Sequence, residues 1–443
     1  MGKIFEKIPP LSNFAKNVLA LMTGAGIAQI ISVLASPILS RIFDTSDFGV
    51  LGAFQSTITI ITIFISARYE QLVVIPKDEK DSINIFALSF IIMGIVSILL
   101  FTIVLFFPNL IVSITGEELS SWIIYIPLGA LLVGIVQLLN AYFIRRKYFK
   151  QTSQSVVGQS LTRVGVNLGV GINNVFSGGL IYGYLAGQLA TIFILLHKRI
   201  REIWNDLRSH FTWSHCVLMA KKYKKMALNL IPANLIGAFA GNLPSLLLPL
   251  LFNTSIAGLY FWSYTIVNMP LAFIGKSLSD VAYKHTMDII HSNNSLSEYF
   301  ERVIAYLLLF TIVPILVMLL FAPLLFAFVF GEEYRMAGVY TQILLPYFLL
   351  RLLSAPTSVL VQKNRTDLLL YWQILFLILT ITSLALGGLV FESHLSTIIL
   401  LSISNTISYA VVLYLNFKIT EAKWSNIYCI LKDLSLKVIR RLK

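Results

Sequence analysis

Two arginines lie where a charged side chain needs a particular reason to be. Arg163 and Arg351 each fall near the middle of a long apolar stretch, and the middles of these stretches contain no Asp or Glu. A guanidinium can hold an anionic oxygen pair through two parallel hydrogen bonds, most strongly where water is excluded. The two arginines therefore predict a cavity that receives an anion. The alternative is that each bonds helix carbonyls or amides such as Asn167 and Gln342 and serves packing alone.

Other polar side chains in or beside the apolar stretches extend this candidate site. Gln29 and Asn167 lie within stretches and could bond ligand hydroxyls or link neighbouring helices. Arg41 ends the first stretch, where it could line a cavity exit, reach lipid headgroups or pair with a nearby acid. Arg68 and Glu70 end the second stretch and could form a local ion pair or a gate. We predict the first three as ligand-binding residues, with Arg163 and Arg351, and the last two as a gate.

The elements that must position these residues are apolar helices. The chain is 57% hydrophobic and 12% charged, whereas soluble domains carry about 25% charged residues. A helix needs roughly 20 apolar residues to cross a bilayer, and stretches of that length, apolar on every face, recur along the chain. An all-α integral membrane protein of about 12 transmembrane helices follows. The predicted spans are 14–39, 48–67, 83–107, 123–143, 155–172, 176–196, 226–251, 256–278, 303–330, 337–361, 368–390 and 395–417.

The fifth predicted span, 155–172, is the most polar of the set. It contains Gln159, Arg163 and Asn167, so a count of eleven spans is the alternative. Glycines in the first and fifth spans are expected to permit close helix approach, with hinging as the other interpretation. These are Gly24, Gly26, Gly165, Gly169 and Gly171.

The distribution of basic residues predicts the orientation of the chain. Of the 34 Lys and Arg, Arg41 and Arg335 lie in or beside loops that follow odd-numbered spans, and two fall inside spans. The others lie on the opposite side or at its membrane edge, so both termini should be cytoplasmic in the cell inner membrane. This topology explains the net charge of +13 better than nucleic-acid binding does, because the charges are spread over loops beside spans.

The spans fall into two groups of six, and a short repeat supports this division. Residues 43–49 (FDTSDFG), after the first span, recur 209 residues later as 252–258 (FNTSIAG), after the seventh. Duplication predicts two six-helix bundles of the same orientation around a central cavity. The predicted domains are an N-terminal bundle at 1–197, a basic cytoplasmic linker at 198–225, a C-terminal bundle at 226–417 and a basic amphipathic tail at 418–443 that lies on membrane lipids.

Three stretches of the sequence resemble a known family. They are 39–49 (LSRIFDTSDFG), 67–76 (ARYEQLVVIP) and 330–338 (FGEEYRMAG). They are similar to the Arg-containing end of helix one with its acidic-Phe-Gly turn, the Arg-aromatic-Glu motif ending helix two, and the Phe-Gly turn before helix ten. The family is the polysaccharide-exporter branch of the multidrug, oligosaccharidyl-lipid and polysaccharide exporter superfamily, which includes the O-antigen flippases. Tyr334 stands where this family more often has Trp.

The resemblance implies a lipid flippase and not an enzyme. Its cargo would be an anionic oligosaccharide on polyprenyl pyrophosphate, such as an O-antigen or capsule repeat unit, carried to the outer leaflet by alternating access. Glycan-assembly proteins are the expected protein partners. The sequence shows no P-loop, dinucleotide fingerprint or metal-ligand spacing, so we expect no cofactor and leave proton or sodium coupling open.

Two other functions are compatible with a chain of this kind. An ion-coupled multidrug antiporter of the same superfamily would be expected to hold a carboxylate deep in the membrane, where this chain has arginines. A membrane glycan polymerase or ligase would need acceptor chemistry on the outer face. The longest outward loop, near residues 108–122, carries only Glu117 and Glu118 as charges.

Overall fold

The computed structural model describes residues 13–172, 178–269, 271, 296–354 and 365–442. All regular secondary structure in these ranges is helical. Ten of the described helices are long and apolar enough to cross a membrane, by length and composition. The chain is therefore an all-α, multi-pass membrane protein, and this part of the prediction is confirmed.

The helices are numbered in chain order. They are α1 (Asn13–Ile42), α2 (Thr45–Ile65), α3 (Tyr69–Leu72), α4 (Glu79–Phe106), α5 (Pro108–Thr115), α6 (Tyr125–Arg145), α7 (Phe149–Ile172), α8 (Gly179–His197), α9 (Ile200–His210), α10 (Trp213–Leu251), α11 (254–269), α12 (Leu296–Phe330), α13 (Arg335–Leu353), α14 (Thr366–Ala385), α15 (His394–Thr420) and α16 (Trp424–Leu442). Short 3-10 helices lie at Glu117–Trp122 and Glu332–Tyr334, and a π-helical turn at Leu386–Val390 continues α14.

Every predicted span coincides with a helix over its described residues. Two of these helices are outside the ten candidate spans, α7 because of its polar residues and α11 because it is described only as far as 269. The later parts of predicted spans 256–278 and 337–361 lie outside the described residues. The predicted linker at 198–225 forms α9 and the first third of α10, so it is largely helical.

The most polar helix, α7, is sheltered on one side by α1. A Cβ on Gly24 of α1 would lie 2.0 Å from the hydroxyl oxygen of Ser153. Further along both helices, the Ser160 hydroxyl donates to the carbonyl oxygen of Ala28 at 2.9 Å. The two contacts follow the same order in both helices, so α1 and α7 run parallel, as two odd-numbered spans should.

An adjacent face of α7 packs against a glycine face of α8. Gly179, Gly183 and Gly187 are spaced at four-residue intervals, which places them on one face of the helix. A Cβ on Gly183 would lie 1.7 Å from the Asn167 side-chain amide, and one on Gly187 would lie 3.1 Å from the Gln159 backbone carbonyl oxygen. Small residues let the backbones approach closely. The polar residues of α7 therefore lie in a protein interface, which is why this helix can be a span despite its low hydropathy.

The backbone packing divides the chain into two compact units. Unit 1 contains the described residues of Met1–Phe43 and Ala53–Leu235, and unit 2 those of Asp44–Gly52 and Ile236–Lys443. The sequence placed the change between the two bundles in the linker at 198–225. In the structure, the helices of that segment belong to unit 1, and the first turns of α2 belong to unit 2.

Within unit 2, the two copies of the sequence repeat pack against each other. A Cβ on Gly49 would lie 2.0 Å from the carbonyl oxygen of Thr254, and a Cβ on Gly258 would lie 1.7 Å from that of Thr45. Each glycine thus meets the threonine of the other copy, which is the reciprocal contact expected of two equivalent elements around a local two-fold axis. This symmetry supports the interpretation of the repeat as a duplication.

The C-terminal tail forms α16, and its first turn is attached to α12. Glu301 of α12 is buried, and it accepts hydrogen bonds from the Lys423 backbone N–H at 2.7 Å and from the Asn426 amide at 3.0 Å. The Trp424 ring stacks on Phe417 at a centroid distance of 4.6 Å. The start of this predicted amphipathic helix is therefore held by protein contacts.

Candidate functional site

Arg351 lies among tyrosines in unit 2. Its Nη1 donates to the hydroxyl oxygens of Tyr264, on α11, at 2.6 Å and of Tyr347, one turn earlier on α13, at 2.9 Å. The guanidinium carbon also lies 5.5 Å and 5.9 Å from the centroids of the two rings. Hydroxyl oxygens and aromatic faces stabilise a cation without neutralising it. The cluster therefore holds Arg351 in one position with its charge intact.

The position of Arg351 along its helix differs from the prediction. The sequence placed it near the middle of a span at 337–361, whereas α13 ends at Leu353 and Arg351 is in its last turn. Helices usually end before the residue that precedes a proline, and Pro356 supplies that signal in the sequence. The carbonyl end of a helix also favours a positive charge. Residues 355–361 of the predicted span lie outside the described residues, so the depth of Arg351 in the membrane stays a prediction.

More aromatic rings extend the tyrosine cluster towards α14 and α15. Tyr409 lies 5.5 Å from Tyr347 and 5.3 Å from Trp372, between ring centroids. One turn before Tyr409, the amide oxygen of Asn405 is buried and accepts no hydrogen bond from the residues described. Such an unpaired group costs about 1–3 kcal/mol. This oxygen lies one helical turn from Tyr409, where it could accept a hydrogen bond from a ligand hydroxyl.

Arg163 of α7, in unit 1, is half-buried and much less engaged. Its guanidinium carbon lies 5.9 Å from the centroid of the Tyr184 ring on α8. Its N–H groups donate to no acceptor in the described chain, so the expected satisfaction by carbonyls or amides is not observed. Arg163 is near the middle of its helix, as predicted, and its five donors remain available.

Neither arginine has an acidic partner among the residues that the structure describes. The ion pairs of the described residues involve other side chains. Charges removed from water are usually paired or bind ions. Two guanidiniums contacting only neutral groups are suited to an anionic ligand.

The other predicted binding residues have different environments. Asn167 is buried between α7 and α8, where its amide nitrogen can donate to the carbonyl oxygens of Gly179 at 3.1 Å and Arg163 at 3.3 Å. Gln29 has a buried amide nitrogen that lacks a partner among the described residues. Arg41 is exposed and in no ion pair within the same ranges. Asn167 thus links two helices, and ligand binding by these three residues stays a prediction.

Arg68 and Glu70 form the local ion pair that the sequence suggested. Their closest atoms are 3.4 Å apart, and the Ser66 hydroxyl also donates to the Glu70 carboxylate. Ala67 and Arg68 have positive φ angles of 47° and 64°, which side-chain-bearing residues rarely adopt. A sharp backbone break therefore separates α2 from α3 at this pair. Its role as a gate stays a prediction.

Several residues of the tyrosine cluster were missed by the sequence analysis. Tyr347 precedes Arg351 by four residues, so helical spacing alone places the two on one face, and this signal was available. Tyr264, Tyr409 and Asn405 come from other helices, and no spacing in the sequence indicates their approach. Only the folded chain brings them together.

Solved structures of similar fold include multidrug transporters and a lipid flippase. An inward-facing multidrug resistance transporter of the MATE family has a TM-score of 0.71 at 12% identity, covering 91% of this chain and 98% of that one. The lipid II flippase MurJ, in an inward closed conformation, has a TM-score of 0.69 at 13% identity, covering 97% and 93%. A transporter of the MOP superfamily from Pyrococcus furiosus, described by the reverse polarity of its binding pocket, has a TM-score of 0.63 at 13% identity, covering 91% and 96%.

At these identities the structural likeness shows the fold, and the sequence match shows the family. No curated protein sequence matches the chain significantly. The profile of a family described as "Polysaccharide biosynthesis protein" matches residues 38–338, which is more than half of the chain. The resemblance found in the sequence is confirmed. The chain belongs to this polysaccharide biosynthesis protein family.

Proposed function

We propose that the protein is a flippase that moves an oligosaccharide on polyprenyl pyrophosphate, such as an O-antigen or capsule repeat unit, from the cytoplasmic to the outer leaflet. The observation that carries this proposal is the free guanidinium of Arg163 in the middle of α7. A charged arginine at the centre of a membrane helix costs about 2.5–3.5 kcal/mol on insertion scales. An anionic substrate would supply the partner that the described chain does not provide.

Arg351 fits the same cargo in a second way. Its Nη1 is engaged by two tyrosines, which orients the guanidinium and leaves its other donors for a ligand. Phosphate oxygens are good partners because they accept paired hydrogen bonds from arginine. The nearby rings and the unpaired oxygen of Asn405 provide surfaces for the neutral, hydroxyl-rich part of a glycolipid. The family and the flippase among the structural neighbours support the same substrate class.

The direction of transport rests on the distribution of lysines and arginines. That distribution supports cytoplasmic termini and places the entry side of the carrier on the face where lipid-linked glycans are assembled. Alternating access is the mechanism proposed, with glycan-assembly proteins as partners. No nucleotide is needed on this chain, and a proton or sodium gradient is the proposed driving force.

An ion-coupled multidrug antiporter is the second candidate, because MATE transporters share the fold. The buried carboxylates among the described residues are Glu70 and Glu301. Glu70 is paired with Arg68, and Glu301 holds the start of α16. Both lie near helix ends and are occupied by structural contacts. The charge pattern therefore favours an anionic cargo over a cationic drug.

The deciding experiment is transfer of a fluorescent polyprenyl-pyrophosphate oligosaccharide between leaflets of proteoliposomes. We expect the wild type to transfer it, and Arg163→Gln and Arg351→Gln to slow transfer at least about tenfold, the equivalent of 1.4 kcal/mol. Arg335→Gln is the matched control, because Arg335 is exposed and paired with Glu332. Wild-type protein that ignores the glycolipid but transports cationic drugs would support the antiporter instead.

A further inference from the structure

An apolar cavity of about 620 Å³ lies within unit 1, between α9 and the adjoining ends of α4 and α6. Phe86 and Phe90 of α4 and Leu138 of α6 form one side, and Ile203 and Leu207 of α9 form the other. Phe90 is exposed, so this side of α4 is available to lipid. The cavity is separate from Arg163 and Arg351, neither of which lines it.

Polar contacts at two points fix α9 over this cavity. The Asp206 carboxylate accepts hydrogen bonds from the Tyr142 hydroxyl and from Arg146, both at the end of α6. The buried side chain of Asn84, in α4, donates to the carbonyl oxygen of His210 at 2.9 Å and accepts from the Thr212 N–H at 3.2 Å. These bonds place α9 against two spans without filling the space beneath it. The cavity therefore results from how these hydrogen bonds position α9 at this end of unit 1.

The lining of the cavity also includes one basic side chain and one tryptophan. Arg208 and Trp204, both on α9, line it and are exposed to solvent or lipid. Arg146 and Arg199 are paired with Asp206 and Glu202. Arg208, in contrast, has no hydrogen bond or ion pair to any residue in the described ranges. Tryptophan beside a basic residue is the composition of a helix at a membrane interface.

The size and charge of this cavity indicate what it binds. The apolar lining and the volume of about 620 Å³ suit an extended hydrocarbon chain. One unpaired guanidinium at the lining matches one phosphodiester. Basic pockets beside the spans of membrane proteins bind anionic headgroups. We propose that this cavity binds an anionic phospholipid, with one acyl chain between α9, α4 and α6 and the headgroup phosphate on Arg208.

This site does not depend on the proposed transport function. A pyrophosphate-linked polyprenol would present more negative charge than one arginine balances, so a phospholipid is the better match. The bound lipid would add apolar contacts across the cavity between α9 and the two spans α4 and α6. The predicted orientation places the site at the cytoplasmic leaflet.

Fluorescence quenching tests the acyl chain and the headgroup separately. Trp204 reports on the cavity, and its signal is the difference between wild-type protein and Trp204→Phe. Brominated phosphatidylglycerol in detergent micelles should quench this signal at a concentration about fivefold lower than brominated phosphatidylcholine, as one arginine contact predicts. Arg208→Gln should remove the preference. Arg201→Gln, which changes the same charge on α9 outside the cavity lining, should retain it.

Each other outcome would overturn the proposal. Equal quenching by the two lipids would indicate an ordinary lipid contact, and no quenching would indicate a cavity that lipid does not enter. An equal loss of preference in Arg201→Gln and Arg208→Gln would assign the effect to general surface charge. Displacement of the brominated lipid by an equimolar amount of polyprenyl phosphate would assign the cavity to the transport substrate.

Discussion

Arg163 and Arg351 are the same residue type in the same kind of sequence context, yet the two units treat them differently. Unit 2 surrounds Arg351 with two tyrosine hydroxyls and two rings in the last turn of α13. Unit 1 leaves Arg163 in the middle of α7, where its one cation–π contact within the described residues is the Tyr184 ring at 5.9 Å. The apolar pattern of the sequence therefore cannot distinguish an arginine that is hydrogen-bonded by its neighbours from one that is not.

The difference has consequences for how each arginine would bind an anion. A guanidinium already oriented by its neighbours loses little conformational freedom when a ligand arrives. A free guanidinium loses more, but it has no protein hydrogen bond to exchange and gains a partner for an unpaired charge. We infer that Arg351 contributes geometry to binding and Arg163 contributes charge compensation.

Replacing each arginine by glutamine should separate these two roles most strongly. Arg163→Gln should raise or maintain the apparent melting temperature in detergent, because it removes a charge that the described chain does not compensate. Arg351→Gln should lower it, because two hydrogen bonds to tyrosines are lost. Both should weaken binding of a polyprenyl-pyrophosphate lipid by about 10- to 100-fold, at about 1.5–3 kcal/mol per charged hydrogen bond.

The measurement is the melting temperature with and without the lipid, for both variants and for Arg335→Gln as the surface control. If Arg163→Gln melts well below the wild type, Arg163 has a structural role and the distinction between the two sites is lost. If both variants keep the full stabilisation by lipid, the anion sites are elsewhere.

The transmembrane helices were largely predictable because apolar stretches of about 20 residues strongly indicate membrane spans. Over their described residues, all twelve predicted spans correspond to helices, including α7, the most polar of them. The helix that shelters the polar residues of α7 could not be predicted from the sequence. Glycines were singled out in α1 and α7, and a Cβ on Gly24 or Gly171 would meet neighbouring side chains, whereas a Cβ on Gly165 or Gly169 would meet no atom within 4 Å. The glycine face that shelters α7 belongs to α8.

The candidate site was predictable only where one helix supplies it. The type and position of Arg163 could be read from the chain, and the spacing of Tyr347 and Arg351 could have been. The contact with Tyr264 depends on α11 reaching α13, and that of Asn167 with Gly179 depends on α8 reaching α7. Such contacts between helices follow from packing, which a single sequence does not specify.

Blocking the close contact between α7 and α8 should disturb Arg163 indirectly. Gly183→Ala places a Cβ 1.7 Å from the Asn167 side-chain amide and 2.8 Å from the Arg163 backbone carbonyl oxygen. We expect a loss of about 1–3 kcal/mol in stability from overpacking, with reduced lipid transfer. Gly165→Ala is the matched control, because that Cβ would meet no atom within 4 Å. Equal melting temperatures of the two variants would show that α8 does not constrain α7 in this way.

Removing single hydroxyls should have the smallest effect and should act on Arg351 alone. Tyr264→Phe and Tyr347→Phe each delete one acceptor of its guanidinium while keeping the ring, so each should cost about 1 kcal/mol in stability. Tyr260→Phe is the control within the cluster, because Tyr260 stacks on Tyr264 at 6.0 Å without bonding the arginine. A double variant, Tyr264→Phe with Tyr347→Phe, should make Arg351 resemble Arg163. Its guanidinium would then lose both tyrosine hydrogen bonds and keep an unpaired charge. If its lipid affinity stays at the wild-type level, orientation by the tyrosines is not what makes Arg351 useful, and charge alone accounts for both sites.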